Sequence, residues 1–177
     1  MENVNAETMV YKVTKSKAVC GMTIFSVALV VCVFAFAYAV SLIEPVDGSY
    51  YILVPVTVLT LGVMGAYYLY SPKRVELTDG ALVLHRVMGP KAFPYTEIEE
   101  VGKWSGSAAS LLRTFGDGGM FGCIGWFSGG GLGRHFEYVC KYDDAFYLKM
   151  RSGRKYMLSC DDAERVVEYV SERVRES

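Results

Sequence analysis

The sequence contains little of the chemistry that binds metal ions or forms covalent cross-links. It has two histidines, His85 and His135, and neither has a second histidine four residues away. Its five cysteines include no C-x-x-C pair, and an odd number at irregular spacing argues against a disulfide framework and a zinc site. We therefore predict no metal and no cofactor. We interpret the cysteines as small apolar side chains and place both histidines on the surfaces of strands.

The sequence also lacks the signatures of nucleic-acid binding, nucleotide binding and serine hydrolysis. Residues 73–177 contain 15 basic and 15 acidic residues, so this part of the chain has no positive surplus to attract a nucleic acid. The glycine-rich residues 116–133 contain neither a G-x-G-x-x-G nor a G-x-x-x-x-G-K-[ST] motif, and no G-x-S-x-G elbow occurs in the chain. We expect no nucleic-acid partner and no enzymatic activity.

Charge is absent from two long apolar runs in the first half of the chain. Residues 18–43 and 48–72 contain no charged side chain. As helices the two runs would extend about 39 Å and about 37 Å, enough to cross a hydrocarbon core of about 30 Å with some tilt. We predict a transmembrane helical hairpin at 18–72, with spans at about 18–43 and 49–70, after an N-terminal arm at 1–17.

The charges that flank the two runs predict the orientation of the hairpin. The turn between the runs carries acids only, Glu44 and Asp47. The outer flanks carry basic residues, which are Lys12, Lys15, Lys17, Lys73 and Arg74. Because basic flanks are retained in the cytoplasm, we expect both ends of the chain on that side. A cleaved signal peptide is the alternative for the first run, since 35–37 and 37–39 have small residues at cleavage-site spacing, but the run exceeds the usual core of about 7 to 15 residues.

The remaining residues, 73–177, alternate polar and apolar side chains as strands do. A tight hairpin is predicted around Asp79-Gly80, and further strands are predicted at 91–95, 98–104, 136–142, 146–150 and 155–158. Asp161 and Glu164 form a capping-box pattern ahead of valines at helical spacing. These signals predict about seven antiparallel strands closed by one amphipathic helix. The N-terminal arm shows no sustained periodicity and is predicted to be loose.

Residues 106–133 differ from this pattern because glycines are interleaved with large apolar side chains. An ordinary solvated loop would expose that apolar area, so the segment must pack on the domain, enter the bilayer interface or meet a partner. Phe121, Trp126 and Phe127 are the candidate contacts, and Lys73 and Arg74 are available to attract anionic lipid. The alternative for the aromatic rings is that they fill the mouth of a bent sheet.

Small residues recur at four-residue spacing in both apolar runs. Ala35 with Ala39, and Gly62 with Ala66, form small-x-x-x-small pairs that let helices approach closely. These four residues are candidate helix-packing positions.

Seven short strands that form a strongly bent sheet, with a helix in one open end, follow the pleckstrin-homology (PH) plan. Four segments carry a resemblance to a family of that fold: SPK at 71–73, VELTDGAL at 75–82, FPYTEIE at 93–99 and RTFGDGGMFG at 113–122. On these segments the chain resembles the bacterial membrane-anchored PH-domain-like proteins. The resemblance implies an α+β fold, with an N-terminal transmembrane hairpin, a PH-like antiparallel sheet or barrel at 73–177 and a C-terminal capping helix. It also implies a place in the bacterial inner membrane, and it provides no catalytic residue.

We predict a non-enzymatic interaction or scaffold module that the hairpin tethers to the cytoplasmic face of the membrane. Tethering raises the effective concentration of the domain toward membrane-bound partners. The expected partners are the lipid bilayer and a protein, or a second copy of the chain. Specific phosphoinositide binding is not expected, because the first hairpin turn, 78–80, is acidic. Two alternatives stay open: a small-molecule sensor or enzyme that uses the glycine-rich segment, and an accessory subunit that assembles a membrane complex through its helices.

Overall fold

The computed structural model describes residues 9–43 and 49–176. The predicted acidic turn with Glu44 and Asp47, and residues 1–8 of the predicted arm, lie outside the described residues. The helices are α1 (Lys17–Ile43), α2 (Ser49–Tyr70) and α3 (Ala163–Glu176). The strands are β1 (Met9–Lys12), β2 (Pro72–Leu77), β3 (Ala81–Arg86), β4 (Gly89–Pro94), β5 (Ile98–Lys103), β6 (Leu111–Gly118), β7 (Cys123–Gly129), β8 (His135–Val139), β9 (Ala145–Met150) and β10 (Lys155–Ser159).

The helices α1 and α2 are long, apolar and exposed over most of their length. Their most apolar windows have mean hydropathies of 2.6 and 1.9, and each helix is long enough and apolar enough to cross a membrane. Where they meet, the Tyr38 hydroxyl lies 3.3 Å from Thr57 Oγ1. Apolar surface of this extent is unfavourable in water and favourable in hydrocarbon. The predicted pair of apolar helices is confirmed.

The strands form two sheets. The first is antiparallel in the order β1-β2-β3-β4, and the predicted hairpin at Asp79-Gly80 is confirmed as the connection between β2 and β3. The second sheet has the order β5-β9-β10-β8-β7-β6. Within it β8 and β10 are parallel, whereas the predicted sheet was antiparallel throughout. The difference arises because β8 and β9, which are neighbours in sequence, do not pair with each other, and β10 lies between them.

One main core lies between the two sheets, and α3 covers it. Its fully buried side chains come from both sheets and the helix, and include Leu84, Phe93, Phe146, Leu148, Val166 and Val170. Removal of this apolar surface from water is the main favourable term in folding. The predicted α+β class and the closing C-terminal helix are confirmed. Among the described strands the two sheets do not join into a closed barrel.

Part of the arm predicted to be loose is a strand. Met9–Lys12 pairs with β2, with Tyr11 opposite Val75. Met9 and Tyr11 pack against the main core, and Val13 is buried in it. The prediction failed here because a strand of four residues is too short for a two-residue period to stand out.

The glycine-rich segment is also more regular than predicted, because β6 and β7 form a β-hairpin inside it. Gly116 and Gly125 lie directly opposite each other, with φ of 129° and 145°. A Cβ at either glycine would come within 2.3 Å of a carbonyl oxygen of the opposite strand. Glycine therefore permits a close approach between these two strands that no other residue allows. A short 3₁₀ turn, Ala108–Ser110, precedes β6.

The predicted capping box at the start of α3 is not formed. Asp161 instead accepts a hydrogen bond from the Thr14 hydroxyl at 2.8 Å, and the Glu164 carboxylate pairs with the Lys103 ammonium group. Asp162 has a φ of 57°, so the chain turns once more before the helix begins at Ala163. Asp161 thus ties the N-terminal segment to the start of the helix that closes the core.

Candidate functional site

The domain is joined to the apolar helices without a linker. Ser71 is the single residue between α2 and β2, and it is fully buried. Its hydroxyl donates to the carbonyl oxygen of Phe121 at 3.1 Å. The backbone N–H groups of Val87 and Met88 donate to the carbonyl oxygens of Ser71 and Leu69, at 3.3 and 2.8 Å. These bonds fix the domain against the last turn of α2.

The turn of the β6–β7 hairpin, residues 119–122, contacts both apolar helices. The ring of Phe121 meets the ring of Tyr68 on α2 edge to face, with 5.6 Å between the centroids. Gly119 faces α1, where an added Cβ would lie 3.0 Å from the Met22 sulfur. Asp117 shapes the turn, because its two carboxylate oxygens accept backbone N–H groups of the turn at 2.9 Å each. The hairpin is therefore seated at the domain ends of both helices.

An apolar groove of about 400 Å³, here called the α2 groove, separates α2 from the β6–β7 hairpin. Its walls include Val63, Ala66, Tyr67 and Tyr70 of α2, and Phe115, Ile124, Trp126 and Phe136 of the second sheet. Val63 lies seven residues before the end of α2, which corresponds to about 10 Å along the helix axis. Phe115 is 74% exposed. The hairpin therefore extends beside the apolar surface of α2 and presents a further apolar side chain there.

Three cationic side chains lie over aromatic rings at the edge of the α2 groove. The Arg86 guanidinium carbon lies 5.4 Å from the ring centroid of Tyr70, and that of Arg134 lies 4.8 Å from the ring centroid of Trp126. The Lys91 ammonium nitrogen lies 5.9 Å from the ring centroid of Phe136. Burial lowers the pKa of Lys91 from its ordinary value. The groove thus combines an apolar interior with a positively charged rim.

A family model described as Bacterial PH domain matches residues 73–174, from β2 into the last turn of α3. The chain belongs to the bacterial PH domain family. No curated protein and no solved structure matches the chain. PH-like domains are generally non-catalytic interaction modules. The matched residues include the β6–β7 hairpin but exclude α1 and α2, so the helices are an addition to the PH domain of this chain.

The PH domain places the predicted aromatic contacts on two different faces. Phe121 contacts α2 and Trp126 lines the α2 groove. Phe127 is 4% exposed, so it is not available to lipid or to a partner. Neighbouring residues of a strand point to opposite faces, and Phe127 follows Trp126 directly on β7. This burial favours the alternative prediction for Phe127, a ring that fills the mouth of the bent sheet.

The predicted basic contacts lie at the start of β2, next to the end of α2. The Lys73 ammonium nitrogen is 5.5 Å from the ring centroid of Tyr68. Arg74 is exposed. Lys15, ahead of α1, lies over the other ring of the same contact, with its nitrogen 5.7 Å from the ring centroid of Phe121. Basic residues from both helix flanks are therefore brought together at one level.

The candidate helix-packing residues are all exposed: Ala35, Ala39, Gly62 and Ala66. A Cβ at Gly62 would meet no atom within 4 Å. Ala66 lines the α2 groove. The pairs are not buried between α1 and α2, and their use in packing against another helix stays a prediction.

The PH domain also contains a buried polar cluster that the sequence analysis missed. His135 and Glu137 are fully buried, and His135 Nε2 lies 2.8 Å from Glu137 Oε1. The carbonyl oxygen of Gly133 lies 2.7 Å from His135 Nδ1, so this nitrogen carries a hydrogen. The Tyr142 hydroxyl donates to Glu137 Oε2 at 2.8 Å, and burial raises its pKa well above the ordinary value. The prediction of a surface position for His135 was wrong, because Trp104, Leu111 and Leu132 pack over the face of the sheet that carries it.

The cysteines outside the apolar helices behave as small apolar residues. Cys140 and Cys160 are buried, and burial raises the pKa of each thiol to about 12. Cys123 is half-buried, and burial raises the pKa of its thiol as well. The thiolate that reacts with electrophiles or binds metal is therefore disfavoured at all three positions. Within the described residues no group of three His, Cys, Asp or Glu side chains is placed to hold a metal ion.

Proposed function

We propose that this chain is a membrane-tethered interaction module. In this proposal α1 and α2 cross the bacterial inner membrane as a hairpin, and the PH domain is held at its cytoplasmic face, where it binds protein partners. The observation that carries the proposal is the fixed junction at Ser71, where two exposed apolar helices meet the PH domain without a flexible linker. A rigid tether keeps the domain at one height above the bilayer and raises its effective concentration toward other membrane proteins.

The distribution of charge supports a cytoplasmic position for both ends. Lys15 and Lys73 flank different helices, yet both lie at the Tyr68–Phe121 contact, Lys15 over the ring of Phe121 and Lys73 over the ring of Tyr68. Basic side chains at this level suit the cytoplasmic leaflet, whose lipids are in part anionic. In the sequence the acids Glu44 and Asp47 occur between the two apolar runs.

A non-enzymatic role is supported by the chemistry of the domain. The buried His135–Glu137 pair is fully enclosed, so a substrate has no access to it. The family to which the chain belongs consists of PH-like domains, which generally act as interaction modules.

The surface that we propose for protein contact is the edge of β6. Among the described strands β6 is the last in the second sheet and pairs with β7 alone, so within the described residues one row of its backbone groups is open to a partner strand. Leu112 on this edge is 70% exposed. An exposed apolar edge strand is a template for strand addition by another chain.

Affinity capture of partners from mild detergent tests this proposal. A lysine at position 112 places a charge on the edge that disfavours strand addition, so Leu112→Lys should lose most of a partner that the native chain captures. Val10→Lys is the matched control, because Val10 is 55% exposed on β1, the edge strand of the other sheet. Equal capture by both variants would contradict the β6 edge as the contact surface. Loss of capture with Gly62→Leu alone would instead favour assembly through the helices.

A further inference from the structure

We infer that the α2 groove binds one anionic glycerophospholipid, with an acyl chain between α2 and the β6–β7 hairpin and the phosphate at Arg86 and Lys91. This inference rests on the proposed function, because it requires α2 to lie in a bilayer. It adds a specific ligand and a specific site to a module that otherwise needs the membrane only as a tether.

The interior of the α2 groove fits a hydrocarbon chain. Its walls are apolar and aromatic, and one wall is α2 itself from Val63 to Tyr70. A cavity against a membrane helix is filled from the bilayer, where acyl chains are the most abundant apolar groups. Phe115, exposed on the opposite wall, extends the apolar surface that such a chain would contact.

The position of Arg86 fits the phosphate. Arg86 is the last residue of β3 and pairs with Pro72, two residues after α2 ends, so it lies at the level where the helix leaves the apolar region. Its side chain donates hydrogen bonds to neutral oxygens, the Gly89 carbonyl at 3.2 Å and the Tyr138 hydroxyl at 3.4 Å. A guanidinium group pairs strongly with phosphate oxygens.

Lys91 provides a second charge near Arg86. Its ammonium nitrogen lies 5.4 Å from the ring centroid of Tyr138, which Arg86 also approaches, at 5.9 Å. Neither cation forms an ion pair with any carboxylate in the part of the chain that the structure describes. Two half-buried cations without a carboxylate partner leave a local positive field, and an anionic headgroup complements it.

Spin-labelled lipids test the site directly. The full chain is reconstituted into phosphatidylcholine liposomes, and the protein-restricted fraction is measured by electron paramagnetic resonance for spin-labelled phosphatidylglycerol and for spin-labelled phosphatidylcholine. We expect the native chain to prefer phosphatidylglycerol, and we expect the preference to fall about fivefold for each cation removed in Arg86→Gln and Lys91→Gln. Arg86→Lys and Lys91→Arg should retain it, and Arg151→Gln, at an exposed cation between β9 and β10, should not change it.

A second variant tests the groove without changing a charge. Ala66→Trp should fill the α2 groove from the helix side and reduce the restricted fraction of phosphatidylglycerol. Equal restriction of the two lipids by the native chain, or an unchanged preference in the doubly substituted Arg86→Gln, Lys91→Gln chain, would overturn the inference. The inference would also be overturned by an Ala66→Trp variant that loses a protein partner but keeps its preference for phosphatidylglycerol. If instead the chain fails to float with the liposomes, the proposed function fails before lipid selectivity is measured.

Discussion

At the scale of single residues, the strongest constraint in the PH domain is the buried cluster of His135, Glu137 and Tyr142. A carboxyl group and an imidazole ring without contact with water are costly unless every hydrogen-bonding atom has a partner. Here His135 Nδ1 is bonded to the Gly133 carbonyl oxygen and His135 Nε2 to Glu137 Oε1. The Tyr142 hydroxyl donates to Glu137 Oε2. Both ring nitrogens and both carboxyl oxygens therefore have a partner. The cluster lies on the outer face of β8 and depends on the cover that Trp104 and Leu132 provide.

We predict that Glu137→Ala lowers the free energy of unfolding by roughly 3 kcal/mol or more, because it leaves His135 and Tyr142 buried with unpaired polar atoms. Thermal unfolding of the full chain in detergent micelles measures the effect. Glu168→Ala is the control, since Glu168 is exposed on α3 and its removal should cost less than about 0.5 kcal/mol. Melting temperatures that fall equally for the two variants would contradict the role of the cluster.

The surroundings of single residues depend on more than their neighbours in sequence. Trp126, predicted as a membrane or partner contact, lines the α2 groove, and its use as such a contact stays a prediction. His135 was misplaced because its burial depends on Trp104, Leu111 and Leu132, which pack over the outer face of the sheet. Arg86 and Lys91 come from the first sheet and approach the ring of Tyr138 in the second, and no local sequence pattern encodes this contact between sheets.

At the scale of elements, the β6–β7 hairpin is the part of the PH domain that connects it to the helices. Its turn is held by Asp117 and rests on Tyr68 of α2 and Met22 of α1. The two strands can approach closely enough only because Gly116 and Gly125 face each other at positive φ.

We predict that Gly125→Ala destabilises the chain by about 2 kcal/mol or more. The new Cβ would lie 2.3 Å from the Phe115 carbonyl oxygen, at a φ of 145° that side chains rarely adopt. The melting temperature in detergent measures this cost. Gly80→Ala is the matched control, because a Cβ at Gly80 meets no atom within 4 Å and its φ is not positive. A Gly125→Ala chain as stable as Gly80→Ala would show that the close approach is not needed.

Elements with strong local signals were predictable, and those that depend on distant partners were not. The hairpin at Asp79-Gly80 and the amphipathic α3 are determined by turn chemistry and by helical spacing of valines. β1 became recognisable only through its pairing with β2, and the hairpin in the glycine-rich segment only through its pairing with β8. The parallel pairing of β8 with β10 depends on how the sheet is ordered, which no local pattern encodes.

At the scale of the whole molecule, one rigid junction joins the PH domain to two apolar helices. The helices are predictable from composition, because uncharged runs of this length are rare outside membranes. The junction is not predictable, since it depends on Ser71, Val87 and the turn of the β6–β7 hairpin meeting at the end of α2. Together they hold the PH domain in one position against the last turn of α2.

The side of the membrane on which the PH domain lies tests this account most directly. Alkaline phosphatase, which is active only outside the cytoplasm, and a green fluorescent protein, which fluoresces inside it, are each joined after Ser177 and produced in a bacterial host. The account predicts membrane-bound fluorescence and no phosphatase activity. An active phosphatase fusion together with a dark fluorescent one would place the PH domain outside the cytoplasm and contradict the proposed orientation.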